Sequence, residues 1–300
     1  MNNEKTLTIK RLVIFLVISF LPFIILMPIL WNIYGEPIYT SQKENVAVVV
    51  YMLGVFGMMI PSCAHLITRL VTKEGFKNTY LGVHFKGKEG YWAASIVVKL
   101  IEGWAGLFLL WTVFLKDLSF GEAFQHFGMK DIGAYLLQLA SSIIIFFPAF
   151  GEEWGWRGYM MPKLLELMPK PAAIVVGGII WGLWHAPLTI AGHNFGTDYS
   201  GYPFVGILMM CLFCVMMNCF LTLVTEKTRS IYPASFIHMI NNNLSVGILL
   251  MNFGSEAAIQ KTDGINNIES FFVLTSASMV TAIISFILFM KKDKTETVSI

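Results

Sequence analysis

The chain has 300 residues, of which 56% are hydrophobic and 13% charged, and its formal net charge is +2. An ordinary soluble domain carries about 25% charged residues, so there are too few charges here for a polar shell. The small net charge leaves no basic surface for a nucleic-acid partner. An integral membrane protein is the class that remains.

Lys5, Lys10 and Arg11 precede the first apolar run, Leu12–Trp31. It is longer than the h-region of a signal peptide and no A-x-A cleavage pattern follows, so it reads as a retained span. Further runs follow at Val46–Leu66, Trp92–Leu115, Ile132–Phe150, Ala172–Ile190, Pro203–Val224, Tyr232–Met251 and Phe271–Met290, eight in all. Each is close to the roughly twenty residues that cross a ~30 Å hydrocarbon core. In lipid the backbone must satisfy its own hydrogen bonds, which makes these runs helices. They do not alternate in hydropathy as barrel strands would. The expectation is an all-α, polytopic membrane protein with about eight transmembrane helices, forming a single transmembrane domain over residues 1–300.

Orientation follows from Lys and Arg in the connectors. With the N-terminus in the cytoplasm, sixteen of the 21 Lys and Arg residues fall in inside segments. Only Lys43, Lys116, Lys130 and Lys261 fall outside, and Lys99 lies within a run. Both termini are therefore expected in the cytoplasm, with the chain multi-pass in the cell membrane. Cys63, Cys211, Cys214 and Cys219 lie inside apolar runs and read as packing residues.

Ionisable groups at membrane depth cost ~2.5–3.5 kcal/mol each and need a reason. Lys99 and Glu102 are three apart and can pair with each other; Lys99 can also snorkel to the cytoplasmic side. His65 reads as interfacial, and His84, His126 and His193 as connector residues without a catalytic role. Glu152 and Glu153 differ, because adjacent helical residues point ~100° apart. Glu153 and Arg157 are four apart with Glu first, the better order for an ion pair. Glu152 then has no in-helix cation and is a candidate general base. His185 lies four residues after Trp181 on one helical face, and His238 four before Asn242 on another.

A surface ion-pair cluster would account for Glu152, Glu153 and Arg157 taken alone. A packing histidine would account for His185, and an interhelical clamp for His238 and Asn242. One shared polar site accounts for all of them, in a chain with few other intramembrane polar groups. No G-x-S-x-G or H-E-x-x-H is present. A Glu–His pair can deprotonate a water, and a second His with an Asn can donate to the oxyanion of a tetrahedral intermediate. Glu152, His185 and His238 could instead ligate one Zn²⁺ with an open position for water. Both readings stand at this point.

With these residues named, the pattern resembles the CPBP family of intramembrane endopeptidases, the CAAX prenyl endopeptidase-like or abortive-infection family. An E-E-x-x-x-R motif is met by Glu152, Glu153 and Arg157, an aromatic-x-x-x-His motif by Trp181 and His185, and H-x-x-x-N by His238 and Asn242. They occur in the family's order, within a protease core over residues 132–250. Trp181 is a departure, since the second motif more often has Phe. The resemblance implies an endopeptidase in which Glu152 with His185 activates water, His238 with Asn242 forms the oxyanion hole, and Glu153 with Arg157 is supporting structure. It favours glutamate catalysis without a cofactor, zinc being the alternative. It also implies a membrane-associated peptide or protein as substrate. Eukaryotic members cut prenylated C-termini on the cytoplasmic side. Bacterial relatives are associated with peptide maturation or bacteriocin self-immunity, so a non-catalytic immunity or peptide-binding protein is the alternative. Counted along straight helices, His185 lies ~20 Å and His238 only ~9 Å from the inner surface. For them to meet, the fourth helix must sit deep and continue obliquely past Trp156. The expected result is a hydrated cavity open toward the cytoplasm.

Overall fold

The computed structural model describes residues 2–124, 129–263, 265 and 267–291. His126, Lys292 and Lys294 lie outside the described residues. The described chain is all-helical. α1 (Asn2–Tyr34) leads through a short connection to α2 (Glu44–Met52), which passes through a π turn (Leu53–Gly57) to α3 (Ile60–Val71). α4 (Glu89–Phe114) crosses back, and α5 (Phe120–Ala123) caps its far end. α6 (Met129–Ser141) and α7 (Ile143–Gly155) follow, then a second π turn (Trp156–Met160) and α8 (Met161–Leu167). The rest comprises α9 (Lys170–Trp184), α10 (Ala186–Ile190), α11 (Phe204–Thr228), α12 (Tyr232–Asn243), α13 (Val246–Phe253), α14 (Glu256–Asp263) and α15 (Asn267–Met290).

Among the described residues, five helices are long and apolar enough to cross a bilayer, and two bent pairs raise the number to seven. The protein is thus a multi-pass membrane protein. Hydropathy predicts about eight unbroken helices, and three of the runs depart from that. The run over 132–150 bends by 42° at Ser142. The run over 232–251 bends by 48° between Asn243 and Val246. These breaks are tied to each other: Asn243 Nδ2 donates to Ser142 Oγ, and Gln138 Nε2 donates to the Asn243 carbonyl. The run over 172–190 stops at Trp184 because Pro187 has no N–H to continue the ladder. The oblique continuation past Trp156 is present, and the π turn there supplies the change of direction.

α11 forms the centre of the bundle. Of its apolar window 72% is buried, against 22–33% for the other four long helices. The outer helices show Val13, Val17, Ile24, Ile283 and Ile287 to the surroundings, as expected of lipid-facing sides. Two glycine pairs set the spacing of the core. A Cβ at Gly151 would overlap Met59, just before α3, and one at Gly155 would overlap Pro61 of α3; one at Gly178 or Gly182 would overlap Val215 or Cys211 of α11. Small residues four apart let helix backbones touch, which substitutes for a hydrophobic drive in lipid. Between the first pair lie Glu152 and Glu153; beside the second lies Trp181.

At the end that carries the N-terminus, Glu74 gathers charges from three elements. Lys163 Nζ lies 2.6 Å away, Tyr159 donates its hydroxyl at 2.8 Å, and Arg11 and Arg69 approach to 3.5 and 4.0 Å. Burial pushes the Glu74 carboxyl up, but the hydrogen bonds from Lys163 and Tyr159 outweigh it and hold it below its ordinary 4.5. His65 is buried within the protein. Its Nδ1 donates to the Trp154 carbonyl at 3.0 Å and its Nε2 accepts from Arg69 at 2.6 Å.

Candidate active site

The locked packing of α7 on α3 fixes both carboxylates inside the bundle. Glu152 is 2% and Glu153 0% exposed. The two point to different partners, as their ~100° separation requires. Glu153 Oε1 accepts from Arg157 at 3.0 Å and from His238 Nδ1 at 2.7 Å. The i,i+4 pairing read from the sequence is therefore present. Its extension to His238 has no signal in the sequence, where spacing associates that ring with Asn242.

Glu152 Oε2 accepts the indole N–H of Trp181 at 2.8 Å. Trp181 in turn connects most of the site. Its ring lies 4.0 Å beneath the Arg157 guanidinium and 5.6 Å, edge-on, from the His238 ring. Its carbonyl accepts from His185 Nδ1 at 2.9 Å. That bond exists because of the break at Pro187. The His185 backbone N–H has turned to Gly182, three residues back, which leaves the Trp181 carbonyl for the imidazole.

Both imidazoles have assignable tautomers on chemical grounds. A carbonyl only accepts, so His185 carries its proton on Nδ1 and presents Nε2 as an acceptor. Glu153 Oε1, which also accepts from Arg157, likewise takes the proton that His238 carries on Nδ1 as its hydrogen-bond partner. Among the described residues, no hydrogen bond joins Glu152 directly to His185 or His238. The connection runs through Trp181.

Glu152 and Asn242 line one cavity of about 530 Å³. Asn242 accepts from Asn241 at 3.3 Å, and its Nδ2 rests 4.0 Å from the Met58 sulfur, a weak acceptor. His185 and His238 stand behind the wall rather than on it. His193, read from the sequence as a connector residue, lines the cavity as well. Its ring stacks parallel to that of His185 at 6.2 Å and packs on Tyr39 at 4.7 Å. The signal available in the sequence is its turn-rich setting. Gly192, Asn194 and Gly196 all have positive φ, at 94°, 66° and 70°, and fold the loop back over the helix ends.

The cavity also reaches Tyr39 and Asn194, in the connections that follow α1 and α10. The Tyr39 N–H bonds the Ala191 carbonyl at 3.0 Å, so these connections share one side. α1, about 50 Å long at 1.5 Å per residue, separates that side from the N-terminus. The cavity thus reaches the side of the bundle opposite the N-terminus.

Zinc ligation needs Glu152, His185 and His238 around one point. Among the described residues, no three His, Cys, Asp or Glu side chains are grouped to hold a metal ion. Glu153 and the Trp181 carbonyl hold the two Nδ1 atoms, which leaves Nε2 of each ring as the atom that would meet a metal.

Fold and site together define a multi-pass membrane protein with an acid–imidazole–amide cluster at a cavity between helices. Residues 134–244 match the sequence model of a family described as type II CAAX prenyl endopeptidase Rce1-like. All seven motif residues, from Glu152 to Asn242, lie inside that segment, and the family resemblance read from the motifs is borne out there. CAAX prenyl protease 2 of Methanococcus maripaludis is 25% identical over 130 residues, covering 43% of this chain and 48% of the relative. The chain thus matches about half the length of that curated relative.

Proposed function

We propose that this chain is an intramembrane endopeptidase that hydrolyses a peptide bond of a membrane-associated peptide or protein. The observation that carries this reading is a pair of hydrogen-bonded chains, Glu152–Trp181–His185 and Arg157–Glu153–His238, joined where Arg157 and His238 lie against the Trp181 ring and built from residues of all three motifs. A structural brace would not need an acceptor-ready imidazole beside a cavity-lining carboxylate.

With the wall opened at His185 and His238 when the peptide binds, Glu152 and His185 Nε2 together draw a proton from a water as its oxygen bonds to the substrate carbonyl carbon. The carbonyl oxygen becomes an oxyanion, which His238 Nε2–H and the Asn242 amide stabilise. For His238 to donate from Nε2 as well as from Nδ1 to Glu153, its ring carries a proton on both nitrogens in this step. Asn242 has only a thioether to give up. Collapse of the intermediate breaks the C–N bond, and the proton held at Glu152 or His185 passes to the leaving amine. Glu153 and Arg157 act by holding His238, and no step is routed through a metal.

Eight passes, with the short α9–α10 pair supplying the fifth, and a cytoplasmic N-terminal side agree with the Lys and Arg bias. On that orientation the cavity takes its peptide from the extracytoplasmic side. Asn194→Cys, in a Cys63→Ser background, is expected to react with a membrane-impermeant thiol reagent in intact cells. Labelling only in inverted vesicles would reverse the orientation.

The catalytic reading is tested with the purified chain in liposomes and a library of membrane peptides. Glu152→Gln is expected to lower cleavage by roughly 10²–10⁴-fold while the protein remains folded and inserted. Activity equal to wild type removes Glu152 from water activation. Wild-type activity that is lost on chelation and restored by zinc would replace the metal-free mechanism.

A further inference from the structure

The cavity that holds Glu152 has a second charged wall, and it is built outside the family-matched segment. Lys99 and Glu102 of α4 are 5% and 7% exposed, and both line the cavity. Lys99 Nζ donates to Glu102 Oε2 at 2.6 Å. Ser278 of α15, also lining the cavity, donates its hydroxyl to the same oxygen at 2.6 Å.

A brace alone would not require this arrangement. Lys99 has three N–H donors. One serves Glu102, one reaches only the Met217 thioether at 3.7 Å, and the third has no partner among the described residues. Glu102 Oε2, by contrast, is held twice. If the ammonium turns into the cavity, Ser278 still satisfies that oxygen. The ion pair thus keeps one end fixed and leaves the other free to exchange its weakest contact for a stronger one.

We infer that Lys99 forms a subsite for a carboxylate of the bound peptide, with Glu102 and Ser278 as its positioning partners. The inference rests on the cavity's being a peptide site and deepens the proposed function. The ligand chemistry is a carboxylate, from either a free C-terminus or an acidic side chain. A charge-assisted hydrogen bond in a cavity shielded from water is about twice as strong as a neutral one, so the subsite selects among peptides that satisfy the Glu152 end equally. Apolar neighbours such as Phe271 and Leu274 exclude water from the contact and strengthen it.

The test uses binding rather than cleavage, so that it stands apart from the catalytic reading. Detergent-solubilised full-length protein carrying Glu152→Gln captures peptides from one library of apolar hexamers. The library is made in three forms: free C-terminal acid, C-terminal amide, and amide with one internal Glu. Mass spectrometry reads the retained fraction. Retention of the free acids at least roughly tenfold over the plain amides is expected. Preference for the Glu-containing amides instead assigns the subsite to an acidic side chain. Adding Lys99→Met leaves Glu102 unpaired and risks misfolding. The deciding variant is therefore Lys99→Met with Glu102→Gln, in which the introduced amide oxygen still accepts from Ser278. That variant is expected to lose the preference and Lys99→Arg to keep it. Equal retention of all three forms, retention of none, or a preference that survives the double change would each overturn the inference. Cleavage by wild type that Glu152→Gln does not alter would instead strike the catalytic reading and leave this result standing.

Discussion

Among the described residues, two ion pairs between neighbours on one helical stretch are buried, and they do opposite things. Glu153–Arg157, from α7 and the π turn that follows it, is 0–1% exposed and touches no part of the cavity surface. Lys99–Glu102 on α4 is nearly as buried, yet both of its members line the cavity. Spacing makes each pair visible in the sequence, and spacing alone suggests that they are equivalent. What separates them is the third partner. Glu153 has a second interaction with His238, and Arg157 lies on Trp181, so that pair is enclosed by the machinery it supports. Glu102 has Ser278 from a distant helix, and Lys99 has a thioether, so that pair retains capacity. In a membrane the cost of burying charge falls on both pairs alike; the neighbours decide whether the charge braces the fold or meets a ligand.

Breaking the enclosed pair is expected to have the largest effect. Arg157→Met leaves the Glu153 carboxylate buried beside an imidazole alone. It should cost about 3–5 kcal/mol of stability, read as a lowered midpoint of thermal unfolding in detergent, with loss of cleavage. The double change Lys99→Met with Glu102→Gln should leave the unfolding midpoint nearly unchanged, because it removes both charges together. Equal losses in the two variants would dissolve the distinction.

A subtler change sharpens the role of the bracing side. Trp181→Phe keeps a ring for Arg157 and His238 but removes the N–H that holds Glu152. A hydrogen bond to a charged group contributes about 1.5–3 kcal/mol, so kcat should fall roughly tenfold or more with KM little changed. The sequence departure from Phe to Trp is then a functional one. An unchanged kcat would make the indole N–H incidental.

Much of this is legible in the sequence. Run lengths give the helices, the Glu–x–x–x–Arg spacing gives the enclosed pair, and hydrogen bonds link residues of all three motifs. Three things are not legible, each for a physical reason. Hydropathy reports where a segment is apolar but not where its ladder stops, so it does not show the breaks at Ser142 and Leu244. Pro187 does signal the break at His185, and the Gly151/Gly155 and Gly178/Gly182 pairs signal close packing. Depth counted along straight helices then does not show which helix ends the cavity reaches, because it ignores those breaks. Finally, periodicity fixes which residues share a face but not which face meets which. That is why spacing associates His238 with Asn242 rather than Glu153, and why it does not bring His193 to the cavity.

The smallest expected effect concerns a third charge cluster, the Glu74 group at the N-terminal side. Its carboxyl is held below 4.5 by Lys163 and Tyr159, so its stabilising contribution is complete above about pH 4.5 and is lost as pH falls through the lower folded value. Unfolding midpoints of wild type should decline as the solution is acidified below pH 4.5. Glu74→Gln should start lower at neutral pH and decline less. Parallel profiles for the two proteins would remove Glu74 from the acid response.

The most direct measurement of the central claim is a comparison of peptide termini in membranes from cells that express the wild-type chain or Glu152→Gln at equal levels. New termini within or beside membrane segments should appear with wild type and be absent with the variant. The same termini at the same abundance in both would contradict water activation at Glu152.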